Sequence, residues 1–259
     1  MTLMKRSVAP DERGGVQVLT RAASLLTLLA ESSGGLSFSQ LVARAGLPRT
    51  TVHRISRALE DEGFVRVDAA TGRLQLGPGL LRLAVASRRD LRAMIGPYLE
   101  RLSREINETV DLGVLDGMHV LFIAQHAAPS RDLMAVSRVG ARFPAHCTAT
   151  GKVLLASLPL DELQRRLPKK LEIPARHTDF SREALLRELD EIRRTGVGFD
   201  REEHRQGICG VGVAVTDVDG SVLAISVPMP AARFAEDEAA VAAALLRTRG
   251  EVQAALRGG

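Results

Sequence analysis

A change of hydrophobic period at Gly63 constrains this 259-residue chain more than any other feature. Upstream of it, in Arg49 to Glu62 (RTTVHRISRALEDE), Val52, Ile55, Ala58 and Leu59 recur at spacings of three and four, which predicts a helix with one inward stripe. Downstream, Phe64 to Val67 and Arg73 to Leu76 alternate around Asp68-Ala69-Ala70-Thr71-Gly72, which predicts strand, turn and strand. Two more helices come first. Val16 to Glu31 carries Val18, Ala22, Leu25, Leu26 and Leu29 at helical spacing and stops at Ser32-Ser33-Gly34-Gly35. A shorter helix, Phe38 to Arg44, has Ser37 as its cap and Leu41, Val42 and Ala45 as its apolar positions, and Gly46-Leu47-Pro48 breaks it. Three helices followed directly by a hairpin spell a winged helix-turn-helix over residues 16–78.

The third helix carries the chemistry of that unit. Arg49, Thr50, Thr51, His53, Arg54 and Arg57 gather in its N-terminal half, opposite the apolar stripe, while Glu60, Asp61 and Glu62 sit at the far end. Arginine bonds guanine edges bidentately, and threonine and histidine reach base edges or phosphates, so this face suits a major groove. Arg66 and Arg73 fall on or beside the wing, within reach of phosphates; Arg21 and Gln40 are candidates for backbone contacts from the first two helices. Residues 1–95 hold 14 Lys and Arg against 8 Asp and Glu, whereas the remainder holds 21 against 23. A basic front joined to a near-neutral back fits a polyanion-binding module attached to something else. With no Trp, one Tyr and seven Phe, the chain lacks the stacking faces that single-stranded nucleic acid needs, so the expected partner is duplex DNA.

The first 15 residues read as a flexible tail. Residues 79–95 read as a linker, with a helix over Leu80 to Leu91 bearing Arg82, Arg88 and Arg89 on its polar side. From residue 96 on, a helix is expected at Pro97 to Glu108. Candidate strands follow at 110–115, 119–125 and 133–139, helices at 149–158, 161–167 and 181–195, strands at 208–216 and 222–227, and a closing helix at 236–256. This irregular alternation favours an α+β unit with an antiparallel sheet. Two cysteines, Cys147 and Cys209, are too few for a disulfide framework, and no apolar run approaches a bilayer span, so a cytoplasmic location is expected.

Two segments of the second half stand out. Pro144 to Ala156 (PAHCTATGKVLLA) places the small residues Ala149, Thr150 and Gly151 at a helix start, which is either an anion site or a tight structural turn. Gly196 to Pro230 reads as loop, strand, turn and strand, with Gly207, Gly210 and Gly212 leaving room for a close approach, of a ligand or of packed backbone.

Val16 to Leu83, through Leu36-Ser37, Leu41-Val42-Ala43, Gly46-Leu47-Pro48, Thr50-Thr51-Val52-His53-Arg54-Ile55, Leu59 and Gly63-Phe64-Val65, resembles the N-terminal domain of IclR-type bacterial regulators. Gly196, Asp200, Glu202-Glu203, Gly207 and Asp217 resemble the signature of that family's effector domain, and the resemblance runs from about Val16 to Leu256. It implies a GAF-like second domain over 96–259 that binds a small organic acid through the 149–151 turn (Ala149, Thr150, Gly151), Asp200, Ile208, Gly210 and Ser226, with Met134 and Ala135 on a facing loop. It also implies a homodimer or homotetramer acting on operator DNA. The chain departs from the family at Gly210, where Cys or another small residue is common; at Thr216, which replaces an aromatic; and at Pro228, where some keto-acid binders carry a second Ser. Loss of that hydroxyl points away from a keto acid and suits an aromatic or aliphatic acid.

Two rival readings stay open at this stage. His146-Cys147 beside a helix N-terminus suggests an activated thiolate and a small-molecule hydrolase, although no carboxylate at a recognisable spacing completes a triad and the chain is read as a non-enzyme. An architectural DNA-binding protein without a ligand is the other. His119, His126, His146, His177 and His204 show no close-spaced ligand motif, so neither a metal nor any other cofactor is expected.

Overall fold

A computed structural model describes residues 17–32, 34–86, 91–130, 137–168, 170–171 and 181–258. The expected 1–15 tail, Arg88, Arg89, Met134, Ala135 and His177 lie outside the described residues. The chain divides into two compact units, Met1–Arg89 and Asp90–Gly259.

In the first unit, helices α1 (Gln17–Ala30), α2 (Phe38–Ala45) and α3 (Arg49–Asp61) precede a two-stranded antiparallel hairpin, β1 (Val65–Val67) and β2 (Leu74–Leu76), and helix α4 (Pro78–Ala86). Ser37 closes a full capping box on α2: its Oγ accepts the Gln40 N–H at 3.2 Å, and Gln40 Oε1 accepts the Ser37 N–H at 2.9 Å. Gly46 then turns the chain with a left-handed φ of 63° that disfavours a side chain. The core of this unit joins Leu25 and Leu29, Leu41, Val52, Ile55 and Leu59, and Val65 and Leu74. On α3 the buried row is Val52, Ile55, Ser56 and Leu59, not Ala58, which is exposed. Position 56 lies four after 52 and three before 59, so helical geometry turns it inward despite its hydroxyl. Leu36 bridges to Leu74, with backbone hydrogen bonds of 3.0 and 2.8 Å, and so ties the α1–α2 connection to the wing.

The second unit contains α5 (Leu91–Ile106), β3 (Val110–Asp116), β4 (His119–His126), β5 (Arg142–Pro144), a 3-10 turn (Ala145–Cys147), α6 (Ala149–Ala156), α7 (Leu160–Arg166), α8 (Arg182–Thr195), β6 (Val197–Arg201), β7 (Ile208–Thr216), β8 (Val222–Pro230) and α9 (Ala231–Gly258). Among the described residues its strands form one six-stranded antiparallel sheet in the order β5-β4-β3-β8-β7-β6. Several expectations need correcting. The helix expected at Leu80 to Leu91 is described from Pro78 to Ala86, with residues 87–90 outside the described residues, and the one expected from Pro97 begins by Leu91, with Pro97 in its interior. Of the strand expected at 133–139, residues 133–136 lie outside the described residues and Ser137 to Val139 are not strand. Strands β5 and β6 were not anticipated, because each is only three to five residues long and lies inside a segment that reads as loop.

Strand alternation sorts the two faces of the sheet. Val110 and Leu112, Val211, Val213 and Val215, and Leu223, Ile225, Val227 and Met229 pack with α5 and α9 into one core. The opposite face presents Asp111 and Gly113, Gly210, Gly212 and Ala214, and Ala224, Ser226 and Pro228. Helices α6, α7 and α8 cover part of it through Val153, Leu155, Leu163, Leu185 and Leu189. The face that bears helix α6 is therefore lined with small and polar residues. No helix among the described residues is long and apolar enough to cross a membrane.

Candidate nucleic-acid interface and ligand cavity

The outward face of α3 carries Arg49, Thr50, His53, Arg54 and Arg57, all exposed, with Thr51 half-buried at its margin. Arg49 does not extend freely: its guanidinium lies 4.8 Å from the Phe38 ring centroid, and His53 meets the same ring edge-on at 5.8 Å. Phe38, which the sequence reading placed only as a helix start, thereby orders two of the candidate contacts. On the wing, Arg66 donates to Gln75 Oε1 at 2.5 Å across β1 and β2. Arg73 is half-buried and donates to the Gly35 carbonyl at 3.1 Å, so part of its guanidinium fastens the wing to the helices. Arg21 pairs with Gln17 along α1 at 3.1 Å, and the Gln40 carbonyl is committed to the capping box. These two are tied to local structure more than the α3 residues are.

The second unit holds a cavity of about 430 Å³ between the sheet and the start of α6. Its wall includes Ala149, Thr150, Asp200, Ile208, Gly210 and Ser226, six of the expected ligand-contacting residues. Gly151 is not on it: a Cβ there would lie 2.2 Å from the Ala145 carbonyl oxygen, so this glycine serves close packing. Gly212 also serves the close approach of the helix, since a Cβ there would lie 3.1 Å from the Ala149 backbone, whereas a Cβ at Gly210 would make only ordinary contact with Ala149 at 3.5 Å. Gly207 has open space around it and a φ of 81°, so a turn requires it. Thr148 caps α6 by accepting the Gly151 N–H at 3.1 Å, and Lys152 N–H goes to the Thr148 carbonyl at 2.9 Å. Helix geometry leaves Ala149 and Thr150 N–H without an intrahelical acceptor at the cavity. Thr150 Oγ1 donates to Ser226 Oγ at 2.7 Å.

Sequence reasoning missed Asp111, Ser137, Phe122, Phe143, His204 and Arg205 on the same wall. The signal for Asp111 was a carboxylate alternating into an apolar strand, VDLGVLD. His204 stacks on Phe143 at 4.4 Å and comes within 3.8 Å of Cys147 Sγ through its Nδ1. The imidazole that approaches the thiol of the rival hydrolase reading is thus that of His204. Burial pushes the Cys147 thiol up to about 12, with the Asp200 and Glu203 charges adding to the effect, and burial also lowers the His204 imidazole below its ordinary value. A thiol held protonated by its surroundings is a poor nucleophile at neutral pH. No cluster of metal-ligating side chains occurs among the described residues.

Behind the cavity lies a fully buried lysine. Lys152 Nζ donates to Glu188 at 2.6 Å and to both Glu203 oxygens at 2.7 and 2.8 Å, joining α6, α8 and the loop after β6. The Glu203 N–H in turn donates to Asp200 Oδ1 at 2.8 Å. Burial pushes the Asp200 carboxyl up to about 7, and the nearby Glu203 charge adds to this, while the backbone N–H groups and Lys152 oppose it. A carboxyl whose pKa rises on folding favours the native state most below its unfolded value, near pH 4, and that contribution is lost as pH rises through about 7. Asp200→Asn keeps the acceptor for the Glu203 N–H and removes the charge. The variant is expected to gain on the order of 2 kcal/mol at about pH 8 and almost nothing at about pH 4.5. Urea unfolding at both pH values measures this; an equal change at both would mean that the carboxyl does not titrate between them.

Comparison with known proteins places both units. Residues 18–69 match the IclR helix-turn-helix domain, and residues 83–253 match the bacterial transcriptional regulator IclR C-terminal domain. The chain is 45% identical over 245 residues to the HTH-type transcriptional regulator Rv1719 of Mycobacterium tuberculosis, covering 95% of this chain and 94% of that one. It is 31% identical to the transcriptional repressor IclR of Escherichia coli, covering 86% and 84%. Among solved structures, the IclR transcriptional regulator from Alicyclobacillus acidocaldarius is similar with a TM-score of 0.77 and 26% identity over 93% of this chain and 99% of that chain. These relatives are regulators, not enzymes.

Proposed function

This chain belongs to the IclR family of bacterial transcriptional regulators, DNA-binding proteins with an effector-binding domain, and from that premise we propose that the exposed face of α3 reads operator DNA under control of a small organic acid. The observation that carries the first half is the α3 surface, where Arg49, Thr50, His53, Arg54 and Arg57 stand opposite buried Val52, Ile55 and Leu59. Thr51 sits at the margin of that face. Arg66 and Arg73 on the wing, and Arg21 and Gln40 on the first two helices, contribute phosphate and backbone contacts of lesser weight. A homo-oligomer places two such helices on a palindromic site.

The effector occupies the 430 Å³ cavity, with its acid group at the Ala149 and Thr150 N–H groups and near Arg205, and its body against Ile208, Gly210 and Pro228. Asp200 and Ser226 supply further polar contacts. Binding there stabilises one orientation of the DNA-reading helices over another.

Fluorescence anisotropy with a labelled duplex from upstream of the chain's own coding region tests the DNA half. Arg54→Ala and Arg49→Ala are each expected to weaken binding by about 10- to 100-fold, since a bidentate base contact is worth ~1–3 kcal/mol. Wild-type affinity should fall steeply with salt. Unchanged affinity in both variants would remove α3 as the reading helix. A thermal-shift screen of organic acids tests the effector half, and no stabilisation by any acid would count against it.

A further inference from the structure

Asp111 gives the cavity a second chemical demand. It lies on β3, is 1% exposed, and forms part of the cavity wall. Ser137 Oγ donates to its Oδ2, and Gln125 Nε2 donates to its Oδ1 at 2.8 Å while also reaching the Ser137 carbonyl at 2.7 Å. Both partners are neutral. No salt bridge to Asp111 occurs among the described residues. A carboxylate has about four acceptor positions, of which side chains among the described residues fill two. Burying such a group with only neutral donors costs stability, and a fold that retains it on a ligand cavity has a use for it. Burial accordingly raises its pKa to about 6, against the pull of Ser137 and Gln125.

Its position separates it from the acid-binding end. Asp111 registers with Ser226 on β8, Ser226 with Gly212 on β7, and Gly212 with Gly198 on β6, whereas Asp200 lies two residues further along β6. Three strand spacings and the two-residue offset put the Asp111 and Asp200 backbones roughly 16 Å apart on the sheet. The α6 N-terminus lies between them, since Cβ atoms on Gly212 and Gly113 would meet Ala149 and Thr150. A plain monocarboxylic acid would satisfy the helix terminus and leave Asp111 facing an apolar ligand body.

Resting on the effector reading above, we propose that Asp111 is a specificity-determining residue that selects acids bearing a second polar group, a hydroxyl or an amine, placed to donate a hydrogen bond to its carboxylate. The effector class is then a hydroxy or amino acid with an apolar spacer, and its simple deoxy counterpart is discriminated against.

Matched pairs test this with the full-length protein by isothermal titration calorimetry near neutral pH: 3-(4-hydroxyphenyl)propionate against 3-phenylpropionate, and 6-hydroxyhexanoate against hexanoate. In wild type the hydroxylated member of at least one pair is expected to bind about 10- to 100-fold more tightly, as a charge-assisted hydrogen bond would provide. Asp111→Val should abolish the preference, and Asp111→Asn, which keeps the shape and one acceptor, should reduce it. Equal binding of both members in wild type, or a preference that survives unchanged in Asp111→Asn, overturns the inference about Asp111 while leaving the organic-acid reading intact. Absence of binding by every acid at millimolar concentration overturns both. The wild-type comparison requires no variant to fold.

Discussion

Lys152→Met is expected to destabilise the second unit by about 3–5 kcal/mol, because it removes the cation from a buried ion network and leaves the carboxylates behind. Lys152 is fully buried and is the shared partner of Glu188 and Glu203. Methionine fills the volume but neutralises nothing. Glu203 is itself buried and also accepts the Arg201 N–H at 3.2 Å, so it cannot swing to water without breaking the turn after β6. Glu188 is more accessible, and burial already raises its pKa in the presence of the lysine. Guanidinium unfolding followed by circular dichroism measures the loss. Adding Glu188→Gln and Glu203→Gln to Lys152→Met should recover most of it, since replacing every charge of a buried group of ions is far less costly than removing one. If the triple variant is no more stable than the single one, the cost lies in packing and not in charge.

Gly151→Val should be nearly as damaging, at about 3 kcal/mol or more, the upper end of overpacking effects. A Cβ at 151 would lie within 2.2 to 2.5 Å of three backbone atoms of Ala145, which belong to the turn preceding α6 and have no rotamer to change. Relief requires separating α6 from that turn, which shifts Ala149 and Thr150 on the cavity wall and Lys152 against its partners. The variant should therefore lose both stability and response to organic acids. Gly117→Asn provides the comparison: it lies in a β3–β4 turn with φ 62° and open space around it, and asparagine tolerates that conformation. Similar stability for the two variants would show that α6 is not held where the backbone contact places it.

The two glycine roles show how far local patterning carries. The small-residue run Ala149-Thr150-Gly151 reads from sequence as one turn that either binds an anion or packs tightly. In the folded unit the three residues divide: Ala149 and Thr150 line the cavity, and Gly151 packs against Ala145. Helix periodicity cannot make that division, because it depends on how the preceding turn and the sheet pack against the start of α6. Lys152 offers a milder lesson. It is the one charged residue of ATGKVLLA, but its partners lie 36 and 51 residues away and only chain folding brings them to it.

Sequence by itself determined whatever depends on neighbours within a few residues. The three helices and hairpin of the first unit, the capping box at Ser37 and Gln40, the basic outward face of α3 and the antiparallel character of the second unit all follow from periods, caps and turns. Tertiary structure decided what depends on contacts between distant segments. It set Phe38 under Arg49, brought Cys147 against His204, and carried Asp111 from β3 to the same cavity as Asp200 from β6. The physical reason is that hydrogen-bonding periodicity is a property of the local backbone, whereas burial, desolvation and the sharing of one cavity are properties of surfaces that meet only when the sheet is assembled.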